Sequence, residues 1–222
     1  MKILILVLSY NQPPYDSLMR AQQNTFFKVP EENVETFFYY GSLPKSYPTK
    51  FVQWENNELQ FDATDAYYLM AEKFKMALDV VCDEKFPFAW DIIFRTNSSS
   101  YVHKKRLKNF VSMFPDRKLY AGWQIHGNEG FDVCSGAGFF ISRDVAEILR
   151  KEIDPTFEKE EDYYCAKILH EHGIKIIDDK SRFDVGEHLI DVPDDRYHYK
   201  LKCGLDRSVD VANFYLLHEK IK

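Results

Sequence analysis

Apolar runs of strand length alternate with stretches of helical spacing along the whole chain. The run Ile3-Leu-Ile-Leu-Val-Leu8 is continuous and too short to span a membrane, so it predicts a buried strand, taken from Lys2 to Leu8. Further strands are predicted at Glu35 to Tyr40, Phe51 to Trp54, Trp90 to Phe94, Leu119 to Trp123, Phe139 to Ser142 and Ile174 to Ile177. Helical spacing covers Tyr15 to Phe26, Ala63 to Cys82, His103 to Phe114, Arg143 to Lys151, Glu158 to His172 and Ser208 to Glu219. The helix after Pro155 is the best defined. Glu158, Glu160, Glu161 and Asp162 complement its positive end, Cys165, Ile168, Leu169 and His172 share a face, and Gly173 supplies a left-handed cap. Such alternation, without repeats or low-complexity segments, predicts an α/β protein. The Pro44 and Pro48 region, Gly127 to Gly130 and Asp178 to Tyr197 read as surface loops, the last charged enough to serve as a lid.

With 222 residues, 45% of them hydrophobic, the chain has material for one domain with an ample core. A net charge of -6 argues against a general nucleic-acid or membrane-surface binder, because neither polyanion is attracted to the whole molecule. No targeting or integral membrane segment is visible, which makes the cytoplasm the expected compartment. Cys82, Cys134, Cys165 and Cys203 are dispersed with no CxxC pair, a pattern of reduced core thiols, not of a zinc site or disulfide framework.

Four stretches carry candidate chemistry. Arg95-Thr-Asn-Ser-Ser-Ser-Tyr-Val102 lies between a predicted strand and a predicted helix, a usual place for ligands in α/β proteins, although a serine capping the next helix would explain it structurally. Ser9, Tyr10 and Asn11 leave the first strand ahead of Pro13-Pro14, presenting polar groups and an aromatic face on which a nucleotide base can stack. Ser135-Gly-Ala-Gly138 allows a backbone to approach a ligand closely, and Trp123 offers a platform for a sugar ring, with core packing the plain alternative for both. In Tyr197-His-Tyr-Lys-Leu-Lys202 an extended strand puts His198, Lys200 and Lys202 on one side, with Arg207 following, a row able to clamp a diphosphate or simply a solvated basic edge.

Several segments, in order, resemble one family, the GT-A-fold glycosyltransferases of the β-1,3-galactosyltransferase and Fringe type. Asp65-Ala-Tyr-Tyr-Leu-Met-Ala-Glu-Lys73 follows the family's D-x-Y-x-N-L-T-x-K spacing, and Arg95 to Val102 stands where the family has K-T-D-D-D-x-[FY]-V. Val133-Cys-Ser-Gly-Ala-Gly-Phe-Phe-Ile-Ser142 is similar to Y-x-S-G-x-G-[YF]-x-[LI]-S, and Glu161 to Ile174 to E-D-V-x-x-G-x-x-L-x-x-x-G-[IL]. The resemblance implies a Rossmann-like fold with a mixed, mainly parallel central sheet flanked by helices. It implies a nucleotide-binding half at about 1–102 and an acceptor half at about 103–222. By resemblance the activity is inverting transfer of a sugar from a nucleotide-diphosphate donor, UDP-sugar foremost, to a glycan hydroxyl. Asp162 of the Glu161-Asp162 pair is then the base, and Asp65, Lys73 and Arg95 join Ser9, Tyr10 and Asn11 around the donor. Acceptor contacts are expected at Trp123, Ser135, Gly136 and Gly138.

The family's acidic triplet holds a divalent cation, but Asn97, Ser98 and Ser99 occupy those positions here. Neutral oxygens hold Mn²⁺ or Mg²⁺ poorly, so metal binding is expected to be weak or absent, with His198 and Ser99 the best residual ligands and cationic side chains carrying the charge instead. A binding protein of the same fold without catalysis, or a retaining transferase, remains open.

Overall fold

The computed structural model describes residues 1–10, 12–41, 57–63, 70–157, 160–186, 189, 191–204 and 206–221. Asn11, Asp65, the strand expected at Phe51 to Trp54, the loop with Pro44 and Pro48, and the start of the helix expected from Ala63 lie outside the described residues. In chain order the elements are β1 (Ile3–Leu8), α1 (Tyr15–Asn24), a 3₁₀ turn (Phe26–Lys28), β2 (Val34–Tyr40), β3 (Glu58–Gln60), α2 (Met70–Val81), β4 (Ile92–Asn97), β5 (Ser100–Val102) and α3 (Lys104–Val111). They continue as β6 (Tyr120–Ile125), β7 (Val133–Ser142), α4 (Arg143–Glu152), α5 (Glu161–Glu171), β8 (Ile177–Asp178), β9 (Arg182–Asp184), β10 (His198–Lys200) and α6 (Arg207–Ile221).

A seven-stranded sheet runs β3-β2-β1-β4-β7-β6-β8, and a small sheet runs β5-β10-β9. Strands β3, β2, β1 and β4 are parallel, whereas β7 is antiparallel to both β4 and β6. All six residues of β1 are buried because both faces of this sheet are covered, as parallel sheets require. Leu4, Leu6 and Leu8 face the core beneath α2, α4 and α5, and Ile3, Ile5 and Val7 face the one shared with α1, α6 and the small sheet. This is the expected α/β architecture with a mixed, mainly parallel sheet.

Several expected boundaries move. β4 does not stop at Phe94 but continues through Asn97, because Leu6, Val7 and Leu8 on one side and Phe139 and Gly138 on the other keep it paired. The polar run is therefore no direct strand-to-helix junction. Strand β5 intervenes, and the next helix is capped by His103, whose ring nitrogen accepts the Arg106 N–H at 3.4 Å, not by a serine. β7 starts at Val133 and not at the expected Phe139, so Ser135 to Gly138 is part of the strand. The segment Asp178 to Tyr197, expected as a loop, contributes β9 and the second residue of β8, and of the strand expected at Ile174 to Ile177 only Ile177 joins the sheet. Among the described residues no helix is long and apolar enough to cross a membrane, and the four cysteines are free, with Cys82, Cys134 and Cys165 buried.

Candidate active site

β1 has β2 on one side and β4 on the other, so the connections leave it in opposite directions and a crevice opens beyond its carboxyl end. A cavity of about 450 Å³ fills this crevice. Its walls are Ser9 and Tyr10 after β1, Tyr15 of α1, Lys73 of α2, Arg95 and Asn97 of β4, and Ser98 and Ser99 in the β4–β5 turn. Gly136 and Ala137 of β7, Glu161 and Asp162 of α5, and the basic trio Lys200, Lys202 and Arg207 close the other side.

Other expected residues lie elsewhere. His198 is buried and does not line the cavity; its Nε2 meets the Ser100 Oγ at 2.9 Å and its ring lies edge-on to Phe94. Burial, helped by the charges of Arg182 and Lys200, pushes its pKa down to about 3. The expected row of three thus shortens to Lys200 and Lys202, because the first residue of β10 turns into the core. Gly138 is also internal, since a Cβ there would stand 2.8 Å from both the His198 ring and Phe94. Ser135 accepts a hydrogen bond from Arg182 Nη1 at 2.8 Å, and the same guanidinium lies 4.7 Å from the Trp123 ring centroid, covering a face of the indole offered for a sugar.

Within the cavity the two acids differ in kind. Glu161 is fully buried and pairs with Arg95 Nη2 at 2.6 Å, while Arg95 Nε donates to the Tyr39 hydroxyl at 3.1 Å. Burial pushes the Glu161 carboxyl upward and the guanidinium opposes it. Its Oε2 is thereby engaged, whereas Oε1 is buried with no hydrogen-bond partner among the described residues. Asp162 is half-exposed at the first turn of α5. Its Oδ2 accepts the Gly136 N–H at 2.7 Å and its Oδ1 the Tyr163 N–H at 3.0 Å, which fixes the carboxylate while leaving lone pairs toward the cavity.

The β4–β5 elbow is held by its own polar groups. Asn97 Oδ1 accepts the Ser99 N–H at 3.0 Å, and Asn97 Nδ2 donates to the Gly136 carbonyl at 3.0 Å. Ser99 Oγ accepts Arg207 Nη2 at 2.8 Å. These neutral oxygens are already used, one of them by a guanidinium whose charge repels a metal ion, so the elbow does not fit a hard divalent cation. Among the described residues no group of three or more His, Cys, Asp or Glu side chains stands close enough to hold one.

Neither a protein-family model nor a curated protein matches the chain. A solved structure does match: a glycosyltransferase involved in the glycosylation of the major capsid of PBCV-1, with a TM-score of 0.60 and 15% identity, covering 97% of this chain and 100% of that one. The chain has a GT-A-like fold. At this identity the likeness speaks for the fold alone, and the chemistry must be argued from the side chains.

In this GT-A-like frame, sequence reasoning missed three contributors. Tyr39 sits in the aromatic run of β2 with nothing to mark its hydroxyl as the partner of Arg95. Tyr15 opens α1 and meets Arg207 at 5.7 Å from its ring centroid. Arg182 lay in a segment expected to be loop. Only the short alternation Arg182-Phe-Asp184 hinted at a strand there.

Proposed function

We propose that the protein is an inverting glycosyltransferase that moves a sugar from a nucleotide-diphosphate donor, most simply a UDP-sugar, to a hydroxyl of a glycan. The observation that carries this reading is one cavity, at the sheet's switch point, lined by both a fixed carboxylate and a basic trio. The nucleoside is assigned to Ser9 and Tyr10, where the Ser9 hydroxyl is buried with no hydrogen-bond partner among the described residues and Tyr10 lines the cavity. The diphosphate is assigned to Lys200, Lys202 and Arg207, with Lys73 across the cavity. Glu161 Oε1, unpartnered, is the natural acceptor for a hydroxyl of the donor sugar.

Asp162 takes the proton from the acceptor hydroxyl as its oxygen forms a bond to the anomeric carbon. The bond to the diphosphate breaks on the opposite face, its electron pair staying on the leaving oxygen. Ammonium and guanidinium groups stabilise that developing charge, so the reaction needs no metal ion. Glu161 is a poor candidate for base, because its charge is spent on Arg95. That ion pair and the absence of acids at the elbow also favour a second reading, a nucleotide-sugar binding protein without turnover.

Release of UDP from UDP-glucose, UDP-galactose and UDP-N-acetylglucosamine, in EDTA and in Mn²⁺, separates the two. Turnover that falls by about 10²–10⁴-fold in Asp162→Asn supports the enzyme. Binding of UDP with no turnover under any condition supports the binding protein. NMR of the product anomer decides between inversion and retention.

A further inference from the structure

A second cavity, of about 460 Å³, lies at the other end of α5 and belongs to none of the elements assigned to the donor except that helix. Tyr163, Ala166 and His170 stand at i, i+3 and i+7 and so form one stripe of α5. The small Ala166 leaves a hollow in this stripe, and Phe131 enters beside it. The Phe131 ring centroid is 5.3 Å from that of Tyr163 and 5.7 Å from that of His170. Tyr163, the residue after Asp162 in α5, thus begins an aromatic run that Phe131 and His170 carry into the second cavity.

Its shape is built, not incidental. Gly130 (φ 86°) and Gly173 (φ 68°), both in the left-handed region, turn the two loops that border it. The Tyr163 hydroxyl is bonded to the Glu129 carboxylate, tying the Phe131 loop to the helix. At the exposed edge of the cavity, the Gln124 amide donates to Asp132, whose other oxygen meets His126 Nδ1 at 3.1 Å. An amide and a carboxylate locked edge to edge present alternating donors and acceptors, the pattern that neighbouring hydroxyls of a sugar satisfy.

We propose that this track binds the distal residues of a neutral oligosaccharide, whose reactive end lies at Asp162. A sugar ring has an apolar C–H face suited to aromatic surfaces and a polar rim suited to Gln124 and Asp132. Asp132 opposite Lys175 leaves the cavity without the cationic excess of the donor site, which fits a neutral polyol and not a second diphosphate. The eight residue steps from Asp162 to His170 correspond to roughly 12 Å of helix, a span that a monosaccharide does not bridge. The inference deepens the glycosyltransferase reading and rests on it for the identity of the reactive end.

The test uses saturation-transfer NMR and titration of the whole chain, without donor, against chito-, cello-, malto- and manno-oligosaccharides of one to five units. UDP is titrated into the same samples. In at least one series affinity is expected to rise about tenfold from monomer to tetramer. Phe131→Ala and, separately, the surface change His170→Ala should each weaken tetramer binding by about threefold to tenfold. No gain with length in any series, or a gain that persists in both variants, overturns the inference. Failure of UDP alone to bind overturns the donor reading instead, and leaves the track judged by its own oligosaccharide result.

Discussion

Asp162 owes its position to the absence of a side chain on Gly136. A Cβ there would stand 2.7 Å from Asp162 Oδ2, inside any tolerable contact, so Gly136→Ala must push the carboxylate away from the N–H that holds it. The backbone of β7 suits alanine, so stability should change little while turnover falls by about tenfold to a hundredfold, as a misplacement of about 1 Å does. Parallel measurements of turnover and melting temperature check this; a variant with full activity would remove Asp162 from the role of base. Glu161 is the opposite case, a residue whose loss should be felt first in folding. Glu161→Ala leaves the Arg95 guanidinium buried without its counter-ion, at a cost of about 3–5 kcal/mol. Arg95→Met combined with Glu161→Leu should recover most of that in urea denaturation, since well-packed apolar replacements of such pairs are often neutral.

The elements differ in how far the sequence announces them. β1, α2 and α5 carry long apolar or periodic runs, and their positions follow from pattern alone; the crevice beyond β1 does not, because Leu8 meets Asn97 only where β4 runs past its expected end at Phe94. The small sheet is another matter. β5, β9 and β10 have three residues each and exist only because chain segments far apart in sequence pair with one another, which no local period encodes. That is why His198 was placed in the basic row: strand alternation predicts which side a residue takes, not whether that side is core or cavity. Its burial has a measurable consequence. With a folded pKa near 3 against an ordinary 6.5, His198 stays neutral in the fold while the unfolded chain takes up a proton as pH drops below 6.5. The unfolded state then binds more protons, so stability is lost as pH falls, by about 1.4 kcal/mol per pH unit between those values. Urea midpoints at pH 6 and pH 5 should show a loss of stability in the native chain that is smaller by about one proton's worth of slope in His198→Gln.

On the scale of the whole molecule, a chain of net charge -6 concentrates positive side chains around one cavity, where Lys73, Arg95, Lys200, Lys202 and Arg207 share the lining with Glu161 and Asp162, and Asp210 pairs with Arg207 from behind. With Arg95 paired to Glu161 and Arg207 to Asp210, Lys200 and Lys202 supply the positive potential at the cavity wall, and low-dielectric walls focus it on an incoming diphosphate. A metal-bridged site and a cation-lined site then respond differently to the solvent. Chelation strips the first and leaves the second untouched, whereas salt screens the second, because the Debye length shrinks from about 10 Å at 0.1 M to about 3 Å at 1 M. UDP affinity measured by calorimetry should therefore be the same in EDTA and in Mn²⁺ and should weaken steadily with added salt. Lys200→Met with Lys202→Met should cost about tenfold to a hundredfold in affinity, as loss of hydrogen bonds to a charged ligand does, and should flatten the salt dependence. Affinity that appears only with Mn²⁺, or that ignores both salt and the two lysines, would mean that the charge of the diphosphate is met by something other than this basic trio.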